Sequence, residues 1–150
     1  MKRIRGYKYR AYPTEKQREF FEKTFGCCRF VFNYYLDMKR SRWSEWHDNI
    51  NYSEMSRDLS HVLKKEKEWL KEANSTALQQ TLRHLDTAYQ NFLSKRGGYP
   101  QYKSKRSSQS YRAMNVNDNI RIDERSIRLP KAGNVKIKNT RDFDGRILSA

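Results

Sequence analysis

Between residues 75 and 93, apolar side chains return every three or four positions: Leu78, Leu82, Leu85, Tyr89, Phe92 and Leu93. That period places them on one face and predicts an amphipathic helix, with Ser75 placed to cap it. Similar spacing occurs earlier. Thr14 has Gln17 three residues on, a capping-box spacing. The helix it opens carries Phe20, Phe21 and Phe25 on one side and is expected to break near Gly26. A second helix is predicted from about Cys27 to Trp43 or Trp46. Cys28, Val31, Tyr35 and Met38 face a core there, and Phe32 and Leu36 widen the face. After a polar loop, His47 to Asn51, Ser53 can cap a third helix with Met55, Leu59, Val62 and Leu63. Glu68-Trp69-Leu70 forms a short amphipathic turn before the fourth helix.

The two ends of the chain read differently. Residues 2–12 predict a strand, with Ile4, Gly6, Lys8 and Arg10 on one face, Arg5, Tyr7, Tyr9 and Ala11 on the other, and Pro13 as its stop. Beyond Arg96, the stretch GGYPQYKSKRSSQS has no helical period and reads as an exposed connection. Ser110 to Val116, Ser126 to Leu129 and Asn134 to Lys138 are strand candidates, and a further strand starts at Asp144. Asn117-Asp118-Asn119, Asp123-Glu124-Arg125 and Lys131-Ala132-Gly133 are turn signals. A lone strand is not stable, so the first strand is expected to pair with the last ones. The fold class is therefore α+β: a small β-barrel-like unit from 1–13 and 109–150, interrupted by a four-helix insertion over 14–96, with 97–108 connecting them.

Charge changes the picture. The net charge is +15, from 32 Lys+Arg against 17 Asp+Glu. Residues 15–94 carry 13 basic and 12 acidic groups, a nearly neutral unit. The excess lies in 1–14, with Lys2, Arg3, Arg5, Lys8 and Arg10 and no acid, and in 95–112, with Lys95, Arg96, Lys103, Lys105, Arg106 and Arg112 and no acid. Local repulsion of this kind is offset when the cations face phosphates, which makes DNA or RNA the expected partner. The two acid-free stretches are expected to lie side by side as one cationic ridge. No run of about 18 apolar residues is present, so no membrane helix is expected, and the basic N-terminus lacks the apolar core of a secretion signal. A cytoplasmic protein associated with the nucleoid follows.

Adjacent Cys27 and Cys28 cannot build a disulfide framework or a cysteine zinc site, and buried free thiols are expected. His47, His61 and His84 are scattered, without metal-ligand or catalytic spacing. The carboxylates on the helices alternate with Lys and Arg as surface partners would. No catalytic residue and no metal ligand is assigned.

Several stretches resemble the TnpB/OrfB proteins of bacterial insertion sequences. They are Tyr7-Lys8-Tyr9-Arg10-Ala11-Tyr12-Pro13-Thr14, Gly26-Cys27-Cys28-Arg29-Phe30-Val31-Phe32-Asn33, Trp69-Leu70-Lys71-Glu72, Ala77-Leu78-Gln79-Gln80, Gly98-Tyr99-Pro100-Gln101-Tyr102-Lys103-Ser104-Lys105 and Arg128-Leu129-Pro130-Lys131-Ala132-Gly133. They stand in the family's order. The resemblance implies an RNA-guided DNA endonuclease of transposable elements, related to the type V CRISPR effectors. Its N-terminal half is a wedge β-barrel interrupted by a helical recognition domain, long described as helix-turn-helix. A RuvC nuclease and a zinc ribbon follow in full-length members. The sequence is expected to stop before the first RuvC carboxylate, so Mg and Zn are expected only in full-length relatives.

By motif position the resemblance places Tyr52, Ser56, Ser75, Thr76 and Gln79 on a groove-reading surface, with Asn117 in the first wedge turn. Gln79 can pair with adenine N6/N7, although ordinary packing accounts equally for Gln79 and Tyr52. Arg3, Arg5, Lys8 and Arg10 fit phosphates along a strand. Lys103, Lys105, Arg106 and Arg112 are interleaved with Tyr99, Tyr102 and Tyr111, a pattern suited to RNA, where rings stack on bases. Packing the connection onto the helices is the alternative use of Tyr99 and Tyr102. The leading expectation is thus a module that binds guide RNA, flanking-motif DNA or both. The competing ones are a metal-dependent nuclease or transposase, and an interaction fragment without nucleic acid of its own.

Overall fold

The computed structural model describes residues 1–138 and 141–150. The expected capping box forms: Gln17 N–H donates to the Thr14 hydroxyl at 3.2 Å and Thr14 N–H to the Gln17 side chain at 2.9 Å. It opens α1, Glu15–Trp46, one helix of 32 residues. The expected break at Gly26 does not occur, and the first two expected helices are one. Glycine costs a helix only about 1 kcal/mol, and the inward face keeps its period across it. Phe21, Phe25, Cys28, Phe32, Tyr35 and Lys39 recur at steps of three and four, from half-buried to buried. Interrupting that face would cost more than the glycine does.

After His47, left-handed at φ 52°, a short loop leads to α2, Tyr52–Asp58. A π turn, Leu59–Leu63, and α3, Lys64–Glu66, continue the same helical run. A 3-10 turn, Glu68–Glu72, precedes α4, Ser75–Leu93. The caps differ from the expected serines. Asn51 caps α2, accepting from Glu54 N–H while Glu54 accepts from Asn51 N–H. Asn74 caps α4, accepting from Ala77 N–H at 3.1 Å. In each case the asparagine holds the last extended position before the helix, where its side chain reaches the N–H of the third residue in the first turn. Ser53 and Ser75 already lie inside.

Helices α1 and α4 run in the same direction, since Cys28 Sγ meets the Ala77 carbonyl oxygen at 3.9 Å and Lys39 Nζ lies 4.4 Å from the Tyr89 ring centroid. The core between the helices holds Val31, Tyr35, Leu36, Met55, Leu59, Leu63, Leu70, Leu78, Leu82 and Leu85, all fully buried. Two polar links cross it. Tyr35 donates to Asp58 Oδ2 at 2.7 Å. Lys39, only 2% exposed, donates to the Ile50 carbonyl at 2.6 Å and to Asn49 Oδ1 at 3.1 Å. Burial pulls the Lys39 ammonium below its usual pKa, and Asp86 and Glu54 act in the other direction.

The strands are β1 (Arg10–Tyr12), β2 (Arg121–Ile122), β3 (Ser126–Leu129) and β4 (Gly133–Lys138). They form one antiparallel sheet in the order β1-β4-β3-β2. The first strand does join the last, as expected, with Arg10 opposite Lys138 and Tyr12 opposite Lys136. The sheet is open and no barrel closes, because its edges are strands of three and two residues that do not meet. The strand expected over 2–12 shrinks to its last three residues. The one expected over Ser110 to Val116 shrinks to a pairing of 113–115 with 148–150, around the bridge Met114–Ser149. Strand β2 was not anticipated. All three turn signals are turns: Asn117 and Asp118 both have positive φ, Asp123 accepts from the N–H groups of Arg125 and Ser126, and Lys131 and Gly133 have positive φ.

Specific tethers hold sheet to helices. Gln17 Nε2 donates to the carbonyls of Ala132 (3.2 Å) and Asn134 (2.7 Å). Lys131 Nζ donates to those of Lys71 (2.6 Å) and Ala73 (3.0 Å). Met114 N–H donates to the Thr76 hydroxyl at 3.1 Å.

An unbroken α1 makes a prediction. A Cβ at Gly26 would meet only an Arg29 guanidinium nitrogen, at 3.8 Å. Gly26→Ala should therefore stabilise the chain by about 0.5–1 kcal/mol, read as a higher urea midpoint. A clear loss of stability would mean the helix is not continuous there.

Candidate nucleic-acid interface

The basic connection lies along α1, running opposite to it. Tyr99 and Tyr102 sit over Arg40, with its guanidinium 5.0 and 4.9 Å from their ring centroids. Tyr102 donates to Asp37 Oδ1 at 2.9 Å. Asn33 then takes the Lys103 backbone on both sides, donating to its carbonyl at 2.8 Å and accepting from its N–H at 2.7 Å. Tyr111 reaches Phe25 and Phe21 near the start of the helix, with ring centroids 5.8 and 6.2 Å apart. Asn33, Asp37 and Arg40 are three and four residues apart, one stripe of α1 that receives the connection.

Both uses of the tyrosines come into view. Tyr99 packs edge-on against Phe92 and Tyr89, at 5.1 and 6.3 Å, so packing is what the structure shows for it. Tyr102 is 46% exposed and leaves part of its ring open. Lys103, Lys105, Arg106 and Arg112 are all exposed.

The N-terminal cations belong to another layer. Arg3, Arg5, Lys8 and Arg10 are exposed, and their segment is fastened to the C-terminal part of the chain. Tyr9 donates to the Arg141 carbonyl at 2.9 Å, Tyr7 stacks on Phe143 at 5.1 Å, and Arg10 stands opposite Lys138. The single ridge expected from sequence is thus two surfaces, one on the sheet with Lys136 and Lys138, one on α1. Among the described residues, none of the eight predicted phosphate-binding cations forms an ion pair.

The expected groove-reading residues gather only in part. Gln79 Oε1 accepts from Ser56 at 2.7 Å and from Tyr52 at 3.3 Å, joining α4 to α2. Arg83, one turn on, holds its guanidinium 4.3 Å from the Tyr52 ring centroid. Thr76 is occupied: its hydroxyl donates to Asn74 Oδ1 and accepts from Met114 N–H. Ser75 is exposed in the first turn of α4, and Asn117 is exposed at a left-handed position, φ 53°, on the sheet side. With two hydroxyls on Oε1, both its lone pairs are taken. The bidentate adenine contact expected of Gln79 is not available in this arrangement, and its Nε2 donors remain.

Cys27 and Cys28 are buried free thiols. Burial first, then Cys28 and Glu72, pushes the Cys27 thiol up to about 11, so it is not a nucleophile at neutral pH. Among the described residues no group of three or more His, Cys, Asp and Glu could hold a metal ion. No described helix is long and apolar enough to cross a membrane.

Known proteins match this sequence. The family model of a helix-turn-helix domain of OrfB/IS605 type matches residues 1–47. Two curated relatives are named "Putative RNA-guided DNA endonuclease". One, from Streptomyces pristinaespiralis, is 41% identical over 107 residues, 71% of this chain and 27% of that protein. The other, InsQ of Escherichia coli (strain K12), is 31% identical over 148 residues, 97% of this chain and 36% of that protein. The virulence protein VsdF of Salmonella dublin is 30% identical over 112 residues, 68% of this chain and 94% of that protein. The chain belongs to the TnpB/OrfB family. It spans about a third or less of the two endonuclease-named relatives.

In this TnpB/OrfB chain, the span matched as helix-turn-helix holds β1 and the single helix α1, without a turn inside the helix. Sequence reading of the family motifs missed Arg40, Arg83, Lys136 and Lys138. Arg83 lies four residues after Gln79 on the same face of α4, and Arg40 three after Asp37 on α1, so helical period could have found both. Lys136 and Lys138 needed the β1–β4 register.

Gln79→Ala should cost about 1 kcal/mol, since the Ser56 and Tyr52 hydroxyls lose their acceptor. Gln79→Glu should stay within about 0.5 kcal/mol of the parent, because a carboxylate accepts the same two bonds. Urea unfolding checks both, and a Glu variant as unstable as the Ala variant would show that the hydroxyls do not donate to this position.

Proposed function

We propose that this chain binds nucleic acid as the non-catalytic N-terminal part of a TnpB-type RNA-guided endonuclease, with guide RNA and flanking-motif duplex DNA as partners. The observation that carries the reading is the acid-free connection pinned to α1. Lys103, Lys105, Arg106 and Arg112 are exposed and form no ion pair among the described residues, with the Lys103 ammonium 4.5 Å from the Phe32 ring centroid. Asn33 holds the Lys103 backbone, and Asp37, Arg40, Phe21 and Phe25 hold the flanking Tyr102 and Tyr111 rings. Fixing the backbone beforehand lowers the entropy lost on binding a phosphate backbone. The relatives' names support RNA and DNA as the partners. A second cationic surface is supplied by Arg10 on β1, Lys136 and Lys138 on β4, and Arg3, Arg5 and Lys8 in the segment before β1.

Base reading falls to the Tyr52–Ser56–Gln79 cluster with Arg83, with Ser75 and Asn117 as further contacts and Tyr102 as a stacking ring. The reading assigns no Mg or Zn site to these residues. In this reading, cleavage is assigned to nuclease carboxylates that the family resemblance implies for full-length relatives.

The test is fluorescence anisotropy with a labelled single-stranded RNA and a labelled DNA duplex. Affinity should fall at least ~tenfold between about 50 and 200 mM salt, and Lys103→Gln with Arg106→Gln should flatten the logarithmic RNA slope by about 0.7 per lost contact. A salt-independent affinity, or a slope unchanged in the double variant, would overturn the reading.

A further inference from the structure

Where the connection crosses from α1 to α4 it borders a small, partly open polar cavity of about 50 Å³, with Lys103, Arg112 and His84 exposed at its rim. Three elements line it. Helix α1 contributes Arg29 and the Cys28 thiol, α4 contributes His84, and the connection contributes Lys103, Arg112 and the Tyr111 phenol as its titratable groups. No carboxylate lines it. The rest of the connection's wall is polar, with Ser107, Ser108 and Ser110 among its hydroxyls. Ser104 and Ser107 hold each other across a tight turn, the Ser107 N–H donating to the Ser104 carbonyl at 3.0 Å and the Ser104 N–H to the Ser107 hydroxyl at 3.1 Å. The hydroxyls of Ser108 and Ser110 have no partner among the described residues.

Arginine and lysine side chains from separate elements, gathered round one cavity with no acid, repel one another. The folded chain holds them there through contacts made elsewhere, by Asn33 on Lys103 and by Phe21 and Phe25 on Tyr111. The space exceeds the roughly 10–15 Å³ that one water needs and is on the scale of one small tetrahedral oxyanion. Planar Arg29 and Arg112 suit paired oxygens, and the serines supply neutral donors.

We propose that this cavity is a socket for one phosphate group, with Arg29, Lys103 and Arg112 as fixed cations and His84 as a further cation that takes up a proton when the anion enters. The proposal deepens the nucleic-acid reading and rests on it for the source of the phosphate, a backbone phosphodiester. A free phosphate shares the chemistry. Burial and then the charges of Lys103 and Arg112 hold the His84 imidazole below the usual histidine range. A bound anion opposes those two charges and favours the protonated ring. By linkage, binding then strengthens as pH falls.

Two probes test this on the full chain. Sulfate does not titrate in the histidine range, and chloride at matched ionic strength separates binding at the site from screening of the chain's +15 charge. The imidazole signal of His84, assigned by its loss in His84→Gln, should move its titration midpoint to higher pH when sulfate is added. Single-stranded RNA should bind roughly three- to tenfold more tightly at about pH 5.5 than at about pH 7.5, with that ratio falling in His84→Gln. A His84 midpoint unmoved by both sulfate and RNA overturns the socket, and the broader reading survives if RNA affinity remains steeply salt-dependent. A midpoint moved by sulfate in a chain that binds no RNA upholds the socket for a free oxyanion and sinks the nucleic-acid reading. A midpoint moved by RNA alone upholds the socket as specific to a phosphodiester backbone.

Discussion

The fold depends on one constraint: α1 stays helical through Gly26. Its 32 residues span about 48 Å at the ordinary helical rise, and every other layer is docked to that rod. Helix α4 packs beside it in the same direction, which obliges the chain to travel back between the two. The run from α2 through the π turn and α3 to the 3-10 turn makes that return, and buries Met55, Leu59, Leu63 and Leu70 as it does so. Tyr35 on Asp58 and Lys39 on Ile50 fasten the return path at its start. The connection uses another stripe of the same helix, and Gln17 in the first turn holds the β3–β4 turn.

Much of this was written in side-chain period. The apolar faces of α1 and α4, the Thr14–Gln17 box, the turns and the pairing of the first strand with the last all follow from local chemistry. A break at Gly26 follows from the glycine taken alone, and the face around it prevents the break. Phe21, Phe25, Cys28, Phe32 and Tyr35 keep register across the glycine, and the whole face outweighs one unfavourable position. The caps were placed on Ser53 and Ser75 for a related reason: several residues that can cap stand close together, and only backbone geometry chooses Asn51 and Asn74. The barrel failed for want of length. Strands of three and two residues at the edges offer too few ladder bonds to close.

The site divides along the same line. That Lys103, Lys105, Arg106 and Arg112 are cations without acid neighbours is a property of sequence. That they lie on α1, while Arg3, Arg5, Lys8 and Arg10 join the sheet, depends on long-range pairing. Two cationic surfaces on different layers can hold two polyanions at an angle, or two stretches of one bent polyanion, where a single ridge would follow one strand. The sheet surface is the weaker guide. Arg3, Arg5 and Lys8 precede the three-residue edge strand that carries Arg10, whereas the cations of the connection are anchored to a helix at both ends of their run.

Gln79 shows how local chemistry can mislead about recognition. A free carboxamide offers an acceptor and a donor pair, which is why glutamine suits adenine. Here Ser56 and Tyr52 donate to Oε1, leaving donors alone. Donors fit acceptor edges, such as guanine O6 and N7 or thymine O4. Arg83 beside Tyr52 adds more donors and a positive charge to the same surface. A cluster that reads bases as proposed would therefore favour acceptor-rich edges over adenine, because two hydroxyls on a different helix have already claimed half of the amide.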